Sequence, residues 1–402
     1  FAYTFQRPCG HGEADEGVCP GIQGAPGNGR RQMIPAGEGA VVIAPDSFKD
    51  CMAADEVAIA IERGVRAACP GLRTVVLPLA DGGEGTAAVL ACALGASAVG
   101  CRSCDPARRP VDCTYYITTD GSTAVADVAT AGGIRFVRDG AADALSADSY
   151  GTGVLLRDAI ARGCRRIILG LGGSGTTDCG KGLLEALGAS FYDASGNGAH
   201  CMTDVARADL SGAARMLEGV EVILVCDVDA PLYGPGGAAC VFAPQKGASP
   251  AEVGQLDAGL RRMAGILGID ADVPGVGAAG GIAAGLLSAC AGVKLRPGAG
   301  SVLDATGFDT IVQGASLVVT GEGHIDRQTL MGKLPYTVMR RASGHGVPVV
   351  AVAGRVDDRH SLLAAGFSDV VCINDGHVPT MEAAEAGMRI SRAVAQKLRG
   401  WC

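Results

Sequence analysis

Five short segments carry the residue types of group-transfer chemistry: APDSFK (44–49), LADGGEGT (79–86), LGGSGTTD (171–178), CDVDAPL (226–232) and VTGEGHID (319–326). Between them they hold the acids Asp81, Glu84, Asp178, Asp227, Glu322 and Asp326, together with Ser47, Lys49, Ser174, Thr176 and His324. Carboxylates take protons from hydroxyls or hold a divalent cation, a Lys neutralises an anion, and glycine-rich turns offer backbone N–H groups to anions. Each segment follows or grows out of an apolar, β-branched run: VVIAP, TVVLPLA, RRIILGL, EVILV and ASLVVT. Such runs read as strands buried on both faces. Polar residues at the exits of such strands are what an α/β active site looks like in sequence. The chain is read as an enzyme.

The elements that must position these residues follow from periodicity. From Ala40, a strand AVVIAP leads to a helix AADEVAIAIERGVRAAC, and LRTVVLPLA leads to TAAVLACALG. That βαβα opening favours a parallel sheet covered by helices. Between about 96 and 130, the short runs ASAVGCRSCD, VDCTYYITTDG and STAVADVAT predict an antiparallel meander, and βα alternation returns after about 285. The expected fold class is α/β. One parallel-sheet domain is formed from both chain ends (37–95 and 286–402), a second mixed α/β domain (96–285) is inserted, and the site lies in the cleft between them. Residues 1–36, dense in Gly, Pro and charge, predict a disordered extension, with Met33 placed where a natural start could sit.

Composition narrows the function classes. A net charge of −8 without a basic block, and only 4% aromatic residues, argue against nucleic acid and against an anionic membrane surface. No apolar run has the length of a membrane span and none resembles a leader, so a cytoplasmic location is expected. The 16 cysteines are scattered through apolar settings and read as reduced core thiols. Cys101, Cys104 and Cys113 lack a fourth ligand at zinc-site spacing.

Two nucleotide-binding strings are decoys. GLGGSG (170–175) fits G-x-G-x-x-G with Asp193 beyond it, but GVGAAG (275–280) fits as well, in a chain with 62 glycines. Asp193 falls in a turn, FYDASGNG, rather than at the end of a second strand. GTTDCGKG (175–182) misses the P-loop because Gly182 stands where a Ser or Thr would hold Mg²⁺.

Taken together, the five segments and three further blocks, DSYGTG (148–153), VFAPQKGA (241–248) and PGVGAAGG (274–281), resemble the type I glycerate kinases, the bacterial glycerate 2-kinase family. The resemblance runs from about Val41 to Leu398. It implies a Rossmann/flavodoxin-like domain with an inserted second α/β domain, and phosphoryl transfer from ATP, with Mg²⁺, to a hydroxyl of D-glycerate. The expected product is 2-phosphoglycerate. This chain departs from the family pattern at Thr177 (usually Asn), Cys179 (usually Gly), His324 (usually Arg) and Asp50 beside the first loop.

On this reading Lys49 meets the carboxylate or γ-phosphate, and Asp81 or Asp326 steers the attacking hydroxyl. Ser47, Glu84, Lys246 and His324 bind substrate, with Lys333 a spare cation. Gly172, Gly173, Ser174 and Thr176 face the phosphates, and Asp178, Asp227 and Glu322 are the metal candidates. Each has a plainer alternative: Ser47 as an N-cap, Asp81 and Glu84 as helix-start charges, the 319–326 acids as a surface turn. The partners expected are D-glycerate and ATP, with a homodimer left open. Two other readings are a nicotinamide-dependent hydroxy-acid dehydrogenase and a non-catalytic hydroxy-acid-binding relative.

Overall fold

The computed structural model describes residues 39–399 apart from 49–50, 84, 139–141, 328 and 375–380. The segment expected to be an N-terminal extension, 1–36, lies outside the described residues. Among the described residues thirteen strands occur in chain order: β1 (Val41–Ile43), β2 (Thr74–Val76), β3 (Ala96–Cys104), β4 (Pro110–Thr118), β5 (Thr123–Asp127), β6 (Arg166–Gly170), β7 (Ser190–Tyr192), β8 (Arg207–Asp209), β9 (Glu221–Val225), β10 (Val293–Arg296), β11 (Leu317–Ile325), β12 (Val349–Val356) and β13 (Asp369–Cys372).

The first sheet has the order β13-β12-β11-β1-β2 and is parallel throughout. Its strands come from both chain ends, as the periodicity predicts. Alternate residues serve opposite faces: Val41 and Ile43 pack with Ile61 and Ile390, while Val42 and Ala44 pack with Leu303 and Val338. A strand buried on both faces needs this continuous apolar run. The helices Ala54–Ala68 and Ala383–Leu398 lie against each other on the first of these faces.

The second sheet has the order β10-β9-β6-β5-β4-β3. Four strands are parallel, and β3, β4 and β5 form the expected antiparallel meander. Two assignments to the first sheet's share of the chain differ from the expectation. β10 pairs with β9 in the second sheet, and the helix Thr86–Leu94 packs on β4 and β5 as well as on the helix Gly298–Thr306. Val125 of β5, Ala87 and Leu90, and Val302 and Leu303 share one core with Val42 and Val318 of the first sheet. The two sheets are joined by a common helix layer. A local apolar pattern shows that a segment is buried and leaves open which sheet buries it.

Twelve described cysteines are thiols, whereas Cys69 is disulfide-bonded, an exception to the expected set of reduced core thiols. Cys101 faces Cys113 across β3 and β4 and both remain thiols. No described helix is long and apolar enough to cross a membrane.

Candidate active site

A cavity of about 710 Å³ opens where the C-terminal ends of β1 and β2 meet those of β6 and β9. That is where parallel sheets leave backbone groups and loop side chains free for ligands. Four of the five segments reach it. Ser47 comes from the first, Asp81, Gly82 and Gly83 from the second, Gly172, Gly173 and Ser174 from the third, and Asp227 from the fourth. Lys246, from VFAPQKGA, and Lys333 complete the expected set. Lys49 and Glu84 lie outside the described residues.

Close approach of these loops accounts for part of the glycine content. A Cβ on Gly172 would sit 2.3 Å from Gly83 Cα, and one on Gly298 would sit 1.9 Å from the Asp81 carbonyl oxygen. The second and third segments therefore touch backbone to backbone. The N–H of Gly172 donates to the Gly82 carbonyl at 3.0 Å, so it is already taken and does not face an anion.

Five expected site residues are not brought to the cavity. Thr176 is fully buried; its hydroxyl has no hydrogen-bond partner among the described residues, and its carbonyl accepts Lys246 Nζ at 2.6 Å. Asp178 is buried too, accepting from the N–H and hydroxyl of Ser149 (2.9 and 2.8 Å) and from the N–H groups of Gly180 and Gly182 (3.1 and 3.0 Å). Burial and the charge of Asp148 raise its pKa. Four donors at such distances make it the clamp of the 148–153 block on the helix Lys181–Ala186. Lys181, from the P-loop-like string, is buried and paired with Glu185 at 2.7 Å.

The fifth segment, expected as a turn, is strand. β11 runs on to Ile325, held by β12 with Glu322 opposite Ala353 and His324 opposite Arg355. His324 bonds Asp357 at 2.9 Å with 44% of its side chain exposed. Asp326 accepts the Thr329 N–H at 3.2 Å, the Thr329 hydroxyl donates to Glu322 at 2.6 Å, and Glu322 lies 3.8 Å from Lys333 Nζ. Of these residues only Glu322 approaches a lining side chain, Lys333, and Glu322, His324 and Asp326 do not line the cavity.

Among the lining residues that the sequence did not single out are two with hydrogen-bonding side chains, Arg138 and Gln245. Arg138 follows a short 3₁₀ turn, Ile134–Phe136, in a stretch without motif, so nothing local marks it. Gln245 sits inside the VFAPQKGA block, whose only obvious signal was the neighbouring Lys246.

The electrostatics are unusual at two positions. Burial pushes Asp227 up to about 7, with the charges of Asp81 and Asp229 adding and the N–H groups of Ala299 and Gly298 opposing. Those N–H groups donate at 3.0 and 2.6 Å. Burial pushes Lys246 down to about 7, with Asp178 opposing; its Nζ donates to Ser174 Oγ at 3.0 Å as well as to Thr176. Asp81 and Asp227 thus present neighbouring carboxylates whose mutual repulsion a cation would relieve. No cluster of three or more metal-ligating side chains exists among the described residues. A pair of carboxylates suits Mg²⁺, which keeps several waters and draws other ligands from substrate phosphates.

Residues 41–401 match the family model described as the glycerate kinase family. The chain belongs to the glycerate kinase family. A glycerate kinase of Bacillus subtilis (strain 168) is 38% identical over 373 residues, covering 89% of this chain and 97% of the relative. A glycerate 2-kinase of Escherichia coli (strain K12) is 37% identical over 372 residues, with the same two coverages of 89% and 97%. A crystal structure from Salmonella typhimurium LT2, provisionally assigned as glycerate kinase 2, superposes with a TM-score of 0.76 at 37% identity, over 90% of this chain and 98% of that one. Membership makes the chain a phosphotransferase acting on glycerate, and the dehydrogenase reading drops out.

Proposed function

We propose that the cavity transfers the γ-phosphoryl group of ATP, with Mg²⁺, to the 2-hydroxyl of D-glycerate. The observation that carries this reading is the convergence of Asp81 and Asp227 with the Gly173–Ser174 turn, Lys246, Lys333 and Arg138 around one cavity fed by both sheets. The E. coli relative's name, glycerate 2-kinase, supports the 2-position. The two sheets, with their helices, are the two domains of this reading.

Asp227 and Asp81 would hold Mg²⁺, which when bound neutralises phosphate charge. Backbone N–H groups of the 173–174 turn, with Lys246 behind Ser174, receive the phosphate oxygens. Arg138 and Lys333 supply the charge for the substrate carboxylate, with Lys49 as a further cation, and Ser47 is a hydrogen-bond partner for a glycerate hydroxyl. Asp81 accepts the hydroxyl proton as that oxygen bonds to the γ-phosphorus and the bond to ADP breaks.

D-glycerate-dependent release of ADP tests the assignment. Asp81→Asn should lower kcat by on the order of 10²–10⁴-fold with the fold intact by circular dichroism. An unchanged kcat removes Asp81 from the base role.

A further inference from the structure

A second cavity, of about 300 Å³, adjoins the first and shares Ser47, Ala53 and Gly85 with it. It lies beside the end of β2, roofed by Ala88, Val89 and Cys92 of the helix Thr86–Leu94, with Ile311 at its far side. No Lys or Arg lines it among the described residues. A glycerate carboxylate placed there would lose its hydration without a cationic partner, which is costly. A flat heteroaromatic ring would gain apolar contact on both faces, and the volume is at the lower end of ligand pockets.

The backbone at its rim supplies the polar edge. β2 is the sheet's edge strand. Leu77 N–H donates to the Ile43 carbonyl at 2.8 Å and Leu79 N–H to the Pro45 carbonyl at 2.9 Å, so odd-numbered residues face β1. Alternation along a strand turns the backbone groups of Val76 and Pro78 away from the sheet. Val76 keeps an outward N–H, and Val76 and Pro78 keep outward carbonyls. No hydrogen bond among the described residues takes them up. Pro78, having no N–H, leaves this rim with one donor, the Val76 N–H, followed by two acceptors.

We propose that this pocket holds the purine base of the phosphoryl donor, with Val76 and Pro78 reading its amino and imine edge. The inference rests on the ATP reading above and adds where the donor's base sits. Its continuity with the larger cavity through Ser47 and Gly85 places the base on one side and the triphosphate on the Gly173–Ser174 side.

The test compares ADP with inorganic tripolyphosphate, which has phosphates and no base. Ala88→Phe fills the pocket from an exposed helix position. It should weaken ADP binding at least about tenfold, the factor that ~1.4 kcal/mol represents, and leave tripolyphosphate affinity and the KM for D-glycerate within about twofold. If that variant does not fold, the wild type decides. Cys92 is exposed at the pocket, and its alkylation by N-ethylmaleimide, read by mass spectrometry, should be slowed by ADP and not by tripolyphosphate or D-glycerate. Unchanged ADP affinity in Ala88→Phe, or alkylation of Cys92 indifferent to ADP, overturns the pocket while wild-type turnover keeps the ATP reading. A wild type that releases no ADP from Mg-ATP with D-glycerate overturns both.

Discussion

Replacing Lys246 by Met separates the stability of this site from its function. Lys246 is 4% exposed, and burial lowers its pKa from 10.5 to about 7. Between those two values the unfolded chain holds a proton on this amine that the folded chain lacks. Stability therefore rises with pH through that window, by about 1.4 kcal/mol per unit for this one group, or ~5 kcal/mol in all. Below pH 7 the full penalty is present; above 10.5 it is gone. Met keeps the volume and removes the charge, at the cost of leaving the Thr176 carbonyl and the Ser174 hydroxyl without their donor, about 1–3 kcal/mol for each buried group. At pH 7 the variant is expected to be as stable as the wild type or more so. Near pH 10 it should be the weaker by ~2–5 kcal/mol. Melting temperatures of both proteins at pH 7, 8, 9 and 10 read the difference, in which every other titrating group cancels. A difference that does not change with pH means that Lys246 keeps an ordinary pKa, and the argument from desolvation is then wrong. Activity should move the other way, since the same Met removes the amine that donates to Ser174 and Thr176, and turnover should fall by at least about 100-fold.

Other outcomes follow from the same geometry. With Asp227 pushed up to about 7, protons compete with Mg²⁺ for it, so MgCl₂ should raise the melting temperature clearly more at pH 8 than at pH 6, and Asp227→Asn should abolish that difference. Asp178→Asn turns an amide donor toward donors already aimed at the carboxylate; it should destabilise by about 2–4 kcal/mol in thermal unfolding while KM in the folded protein stays put, where a metal ligand would instead change the Mg²⁺ dependence. His324→Ala, on an exposed strand end paired with Asp357, should leave kcat/KM for D-glycerate within about twofold in a coupled ADP assay.

Much of this site was legible because its signal is local. An apolar β-branched run followed by acids and glycines marks the end of a buried parallel strand, and four such segments do meet in the cavity. The fifth misled for a physical reason. Gly321 and Gly323 look like a turn, yet parallel pairing with β12 carries the chain straight through them to Ile325. Asp178 misled in another way: an acid in a glycine-rich loop looks the same in sequence whether it faces a ligand or four backbone and hydroxyl donors, and only the fold brings Ser149 to it. Glycine was overread as room for a ligand at Gly172, which makes room for the backbone of Gly83. Arg138 left no trace because its role comes from the folding of a segment with no motif. The placement of β10 and of the helix Thr86–Leu94 was equally out of reach, since both depend on long-range packing.

The most direct test of the central claim is phosphorus NMR of the product formed from ATP, MgCl₂ and D-glycerate. The account predicts glycerate-dependent ADP release and a product phosphorus split by a single C–H proton, as in 2-phosphoglycerate. A phosphorus split by a CH₂ pair, or no phosphorylated glycerate at all, would contradict it.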